Sequence, residues 1–446
     1  MSQADEQRSQ RIIEVLTEAF APLMESDPAA FRVKYRKMAM DPFAFYRGSA
    51  PLFYADVTGD GRWGESWADD EWVNEQSSAI WIHGDLHAEN FGTYMNSDGR
   101  LVFDVNDFDE AYIGHYTWDL QRFTASLALM AWRKALPEKD VRAMVGRYLR
   151  GYLAQVSHYI TSETDDDFGL YLDNTEGPVW DLLQKARLKS RIAMLDKATS
   201  AETGVRLFRE GSGMRHLGRS ERRKIDAAFA GYLETIPESK RIDRRLFYDV
   251  RDIVGKSGFG IGSAGLPAYN VLVEGFNQSL DNDVVLSMKQ ANVPAVSRFV
   301  DRSKVESYFD NEAHRTAVSQ RALQSHTDPL LGWTTVDGIG YVVSEISPYE
   351  VDLDWGELNE PDAMSSVAEQ LGRATAKIHC ASDEDSDQTL VGFQVEKAVA
   401  DGLQSRRKAF VAAVTEFALE YATQVRRDHA LFVDAFRSGR IGISST

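Results

Sequence analysis

From Gln10 to Met24 apolar residues recur at every third or fourth position (Ile13, Leu16, Phe20, Leu23, with Val15 and Ala19 beside them), which predicts an opening helix. Met38 to Tyr54 is aromatic-rich around Phe43-Ala44-Phe45-Tyr46-Arg47-Gly48. After a polar break at Gly59-Asp60-Gly61, the run Ala79-Ile80-Trp81-Ile82 predicts a strand leading into His83-Gly84-Asp85-Leu86-His87. Leu101-Val102-Phe103, following the turn Asn96-Ser97-Asp98-Gly99, predicts a second strand, and the two are expected to form a hairpin presenting polar residues at its ends. From Trp118 to about Ile236 the period is mostly helical. Its clearest stretch is Val141, Met144, Val145, Tyr148, Leu149, Tyr152, Leu153 and Val156, a stripe read as core packing. The acidic run Glu163 to Asp167 reads as a solvated loop. Near Leu246 the pattern changes: strands are predicted at Leu246–Ile253, Tyr269–Val273 and Val284–Met288, a helix from about Ser303 to Gln324, and a strand at Gly340–Ile346. Helices return at Met364–Cys380 and Val395–Phe436, flanking the acidic loop Asp383–Asp387, and no repeat of fixed period is present. The expected class is α+β, organised as residues 1–243, 244–350 and 351–446.

Composition narrows the function classes. The chain has 446 residues, 43% apolar and 26% charged, which is globular and long enough for two or three domains or one large bilobal unit. The net charge of −18 repels phosphate backbones, so general nucleic-acid binding is not expected. One cysteine, Cys380, forbids an intrachain disulfide and a cysteine-based zinc cluster. No apolar run approaches the roughly 18 to 20 residues that span a bilayer, and Met1 to Gln10 is too polar for a signal peptide. The expectation is a cytoplasmic protein in a reducing compartment.

The chemistry concentrates in His83-Gly84-Asp85-Leu86-His87-Ala88-Glu89-Asn90 and in Asp104-Val105-Asn106-Asp107-Phe108-Asp109-Glu110. Phosphoryl transfer uses a carboxylate to orient the attacking hydroxyl and a nearby amide oxygen and second carboxylate to hold Mg²⁺. Asp85, Asn90 and Asp107 fit those parts, since oxygen donors with room for water and phosphate suit this small hard cation. A zinc hydrolase is the competing reading, with His83, Asp85 and His87 alternating on one face of a strand. A calcium loop beginning at Asp104 fails, because its sixth position is Asp109 and its twelfth His115. A polar hairpin with capped ends accounts for either half alone, but less well for both together.

These two motifs, followed by Trp118-Asp119-Leu120, resemble the aminoglycoside-phosphotransferase branch of the protein-kinase-like fold. The resemblance implies that Asp85 is the catalytic base, that Asn90 and Asp107 bind Mg²⁺, and that Asp119 anchors the catalytic loop. His83 and Asp109 would be supports.

A kinase also needs a phosphate-covering loop and a lysine, and both stand far downstream. Gly260-Ile261-Gly262-Ser263-Ala264-Gly265 fits G-x-G-x-x-G but runs into a turn and strand, the kinase arrangement and not the Rossmann one. Lys289 ends the next strand, where a lysine would grip the α- and β-phosphates; its partner is expected to be Glu306 or Glu312, and Ser303-x-x-Glu306 also reads as a capping box. Glu345 stands where a linker between lobes would contact adenine through its backbone, and Ala368 to His379 resembles the helix that normally precedes a catalytic loop. The order is rotated, which implies a circularly permuted, bilobal kinase-like fold using ATP and Mg²⁺; AMP transfer or nucleotide binding without turnover are the other readings of that fold. The whole chain also resembles the uncharacterised bacterial domain-of-unknown-function family numbered 2252, through Phe45-Tyr46-Arg47-Gly48, Gly84-Asp85-x-His87-x-x-Asn90-Phe91-Gly92, Asn106 to Glu110, the 260–265 loop and Gln320-Arg321. Gln290 departs from the Glu expected after the lysine. Arg47 and Arg321 are each open between anion binding and scaffold.

Overall fold

The computed structural model describes residues 2–59, 71–162, 168–201, 204–209, 211, 213–242, 246–256, 266–324, 326–386 and 388–441. The chain starts with α1 (Gln3–Ser26), where the Ser2 side chain accepts from the Asp5 N–H and Asp5 returns a bond to the Ser2 N–H. Three shorter helices follow: α2 (Pro28–Met38), α3 (Pro42–Gly48) and α4 (Ala50–Val57), each with a proline in its first turn where the missing N–H costs nothing. Four strands come next: β1 (Ile80–Ile82), β2 (Phe91–Met95), β3 (Leu101–Val105) and β4 (Tyr112–Gly114). Helices α5 (Tyr116–Arg133) and α6 (Glu138–Tyr159) complete the first half. Nearly every residue of α5 is buried, so its polar positions must find partners inside the protein.

A six-stranded antiparallel sheet forms the second layer. Its strands are β5 (Met214–His216), β6 (Val250–Lys256), β7 (Ala268–Val273), β8 (Val284–Gln290), β9 (Gly332–Val336) and β10 (Ile339–Glu345), in the order β9-β10-β8-β7-β6-β5. Helix α7 (Arg219–Leu233) packs Ile225, Phe229 and Tyr232 against one face, and α8 (Glu312–Leu323) lies between the sheet and the first half. The expected boundary at residue 244 falls between α7 and β6, which serve the same apolar core.

After β11 (Val351–Asp352), which pairs with β2, the chain returns to the first core through α9 (Pro361–Cys380) and α10 (Arg407–Arg437). Helix α9 crosses α6 at very short range: a Cβ on Gly372 would stand 2.1 Å from the Tyr148 carbonyl oxygen, and one on Gly151 2.4 Å from that of Glu369. No helix among the described residues is long and apolar enough to cross a membrane.

Three expectations need correction. The hairpin joins β2 to β3, with Phe91 opposite Val105, whereas β1 pairs with β4; the turn at Asn96–Gly99 was legible but its first strand was not. The helix expected from Ser303 begins at Glu312, capped by the Asn311 side chain, so Ser303-x-x-Glu306 is no capping box. The strand expected at Leu246–Ile253 runs from Val250 to Lys256.

Candidate functional site

Residues 83–90 form a loop between β1 and β2, and its backbone is held from several sides. Asp119, on α5, accepts from the His83 N–H at 2.7 Å and the Gly84 N–H at 3.0 Å. His379 Nε2, from α9, meets the same carboxylate at 3.1 Å. Tyr54 donates to the Gly84 carbonyl, Ser126 accepts from the Ala88 N–H, and Trp355 donates to the Ala88 carbonyl. Gly84 has φ +79°, and a Cβ there would sit 2.1 Å from the Glu110 carbonyl oxygen, so only glycine fits. His83 braces the loop, its Nε2 on the Asn106 carbonyl at 2.9 Å.

This frame presents Asp85, whose Oδ1 accepts from Arg122 Nε at 2.6 Å. Arg122 is fully buried on α5, lies 4.4 Å over the Tyr46 ring, and donates to the Tyr46 carbonyl. Burial raises the Asp85 pKa while the guanidinium opposes the rise. Sequence reasoning missed Arg122. A signal existed: Asp119 and Arg122, three positions apart, are the charged residues of the stretch 116–132, which marks a buried polar face.

Asp107 follows β3 in the left-handed region, φ +63°, a conformation costing a non-glycine residue roughly 1–2 kcal/mol and commonest at functional sites. Its carboxylate makes no hydrogen bond or ion pair with any described residue. Two positions on, Asp109 pairs with Lys289 at the end of β8, which spans the two layers. That pairing raises the Lys289 pKa against its burial. Arg315, fully buried on α8, fixes the same junction by donating to the carbonyls of Ala111, Asp109 and Asn292 at 2.6, 2.8 and 2.8 Å. It too was missed, because a lone arginine in a helix carries no motif.

Between the layers lies a cavity of about 270 Å³. The first layer lends it Gly92, Asn106, Asp107 and Asp109; the second lends Ser287, Lys289, Ser344 and Glu345, and Gln320 comes from α8. Asp107 and Asp109 also form a wall of a second, smaller pocket that contains Asp85. The structure thus brings Asp85, Asp107 and Asp109 to the two sides of one wall near Lys289, which stands 180 positions beyond Asp109 in sequence.

The family model "Uncharacterized protein conserved in bacteria (DUF2252)" matches residues 26–435. The chain belongs to this family. A curated relative, the N-acetylmuramate/N-acetylglucosamine kinase of Caulobacter vibrioides, is 29% identical over 128 residues, which is 29% of this chain and 32% of that protein. The match therefore spans about a third of the relative's length. No solved structure matches.

In this DUF2252 member the remaining expected residues divide. Asn90 is buried, its Oδ1 accepting from the His87 N–H at 2.8 Å, and it is not part of the cavity wall. Glu345 lines the cavity, but its N–H donates to Asp328 at 2.7 Å and its carboxylate pairs with Arg191, so that N–H is not free for a base. Neither proposed glutamate reaches Lys289: Glu306 is exposed outside the helix, and Glu312 binds Arg315 at 2.7 Å. Asp109 takes their place. Arg47 pairs with Glu89 and meets His87 Nε2 at 3.3 Å, while Arg321 donates to the Leu331 and Thr235 carbonyls. Gly260, Gly262, Ser263 and Gly265 lie outside the described residues; the segment joins Lys256 to Ala268, which is paired with Lys289.

The zinc reading does not hold. His83 and His87 sit in a loop, not alternating on a strand, and their nitrogens already meet Asn106, the Asp85 N–H, Arg47 and the Glu89 N–H. Among the described residues no three His, Cys, Asp or Glu side chains gather to hold a metal. Mg²⁺ asks less of a protein, since one or two carboxylates suffice beside phosphate and water. The Asp107 carboxylate on the cavity wall, without a partner among the described residues, fits that demand.

Proposed function

We propose that this chain is an ATP- and Mg²⁺-dependent phosphotransferase that modifies a hydroxyl of a small molecule, on a circularly permuted, bilobal kinase-like fold. The observation that carries the reading is the cavity between the layers, with Lys289 on one side, Asp107 on the other, and Asp85 just beyond the Asp107–Asp109 wall. Two further facts support it. Helix α9, which follows the sheet in sequence, supports the Asp85 loop through His379 and Asp119, as a helix just before that loop would in the unpermuted order. The partial similarity to a sugar kinase agrees with the same chemistry.

In this mechanism Asp85, fixed by Arg122, accepts a hydrogen bond from the acceptor hydroxyl and orients it for attack. Lys289 and the 260–265 segment would hold the phosphates of the nucleotide, and Asp107 would hold the metal; Asn90, its amide oxygen bound to the His87 N–H, would support the loop instead. The metal would neutralise charge on the transferring group. Positioning and charge compensation supply most of the rate, because the loose transition state asks little covalent chemistry of the protein.

The test is to incubate the protein with Mg²⁺, a bacterial metabolite extract and ATP labelled at the γ or α phosphorus. Label from the γ position is expected in an acceptor product, and Asp85→Asn is expected to abolish its formation while retaining nucleotide binding. Transfer of the α label would replace phosphoryl by AMP transfer, and full activity in Asp85→Asn would contradict the assigned base.

A further inference from the structure

The smaller pocket is walled from the cavity by Asp107 and Asp109, holds about 30 Å³, and is lined by Phe20, Lys34, Arg47, Asp85 and Glu110 among others. That volume admits the oxygens of one small group but not a whole acceptor molecule. Lys34 comes from α2 and is 4% exposed. Among the described residues its ammonium makes no hydrogen bond and no ion pair; it lies over the Phe20 ring, 3.9 Å from the centroid. A buried cation in that position is costly unless an anion reaches it.

Of the neighbouring charges, all but Asp107 already have a partner. Asp85 is bound by Arg122, Asp109 by Lys289 and Arg47 by Glu89, while Glu110 accepts from the Ala295 N–H. Asp107 is the group assigned to the metal. Burial pulls the Lys34 pKa down to about 8 while Glu110 and Asp85 pull it up, so the ammonium is still charged near neutral pH.

We infer that this pocket is an anion-recognition point on the acceptor side of Asp85, at which Lys34 binds an oxyanion, phosphoryl or carboxylate, next to the hydroxyl undergoing transfer. The inference rests on the phosphotransferase reading for what lies beside it, but not for the binding itself. The oxyanion has two sources: the phosphoryl group in transit, or a fixed anionic substituent of the acceptor.

Calorimetric titration of the full chain with inorganic phosphate and with acetate separates the cases, run with and without a saturating Mg²⁺-bound non-hydrolysable ATP analogue. At least one of the two anions is expected to bind the wild type and to bind Lys34→Met about tenfold more weakly or worse, with Lys34→Arg recovering part of the loss. Exclusion of phosphate by the analogue assigns the pocket to the group in transit; binding of either anion beside the analogue assigns it to the acceptor. Equal affinities in wild type and Lys34→Met, or no binding of either anion to the wild type at tens of millimolar, overturns the inference. Lys34→Gln takes the place of Lys34→Met if circular dichroism shows the latter unfolded. Lys34-dependent anion binding without any nucleotide binding would remove the phosphotransferase reading and leave the anion point standing; the opposite pattern removes only the anion point.

Discussion

Glu110 is where the two layers and the Asp85 loop meet. Its carboxylate accepts from the Ala295 N–H, and its carbonyl oxygen is the atom that forbids a side chain at Gly84. Burial and the Asp85 charge push its pKa up from 4.5 to about 7, with the Ala295 N–H and Arg315 opposing. A folded-state value above the unfolded one means that the folded chain holds an extra proton between those limits. Stability from this group is therefore present below about pH 4.5 and is lost as pH rises through about 7. The expected loss is on the order of 3 kcal/mol. Urea unfolding of wild type and Glu110→Gln at pH 5 and pH 8 checks this: the wild type should lose stability relative to the variant on going to pH 8. A difference between the two proteins that does not change with pH would contradict it. At this scale the sequence was legible where chemistry forces a local motif. Asp119 anchors the His83 and Gly84 N–H groups, as the motif implied, and Asp85 and Asp107, to which phosphoryl-transfer roles are proposed, could be singled out from spacing alone. Arg122, Arg315 and Lys34 could not, because each acquires its meaning from groups that only folding brings near.

At the scale of elements, α9 is tied to the hairpin by one buried ion pair. Lys377 bonds Asp104 of β3 and donates to the Leu323 carbonyl at 2.7 Å, and both charged side chains are almost completely buried. Removing one partner strands the other. Lys377→Met is expected to cost about 3–5 kcal/mol in denaturant unfolding, and Lys377→Met/Asp104→Asn should recover a large part of it. A loss below about 1 kcal/mol in the single variant would show that Asp104 is relieved in another way. The apolar period located four of the six strands of the sheet, one of them several residues early, and the long helices, but not β5 or β9. It failed at pairing and at starts. Phe91 to Met95 was hidden behind the motif that ends at Asn90, so the Asn96–Gly99 turn was joined to the wrong strand. Asn311, whose side chain caps α8 through the Ala313 and His314 N–H groups, carried the true start of a helix read as beginning eight or nine residues earlier.

At the scale of the whole molecule, charge makes a demand on the proposed ligand. The chain carries −18 overall, and the cavity wall concentrates acids: Asp107, Asp109, Asp328, Glu345, Glu350 and Asp352, against Lys289. Burial and neighbouring carboxylates push Asp328 up to about 6 and Glu350 up to about 7, a sign of how crowded with negative charge the site is. A free triphosphate would be repelled there, whereas its Mg²⁺ complex brings the compensating charge with it. Strand-like runs replace the helical period near Leu246, yet the sheet takes β5, and its apolar core takes α7, from before that point. Short strands such as Met214–His216 lack the length to show alternation.

Binding of Mg-ATP in the cavity between the layers is read out by thermal denaturation with and without the ligand. Mg-ATP at about 100 times its dissociation constant is expected to add roughly 2.7 kcal/mol of stability, with chelation of Mg²⁺ or Lys289→Ala removing most of the gain. An unchanged melting temperature at millimolar Mg-ATP, or a shift that survives both chelation and Lys289→Ala, would contradict the account.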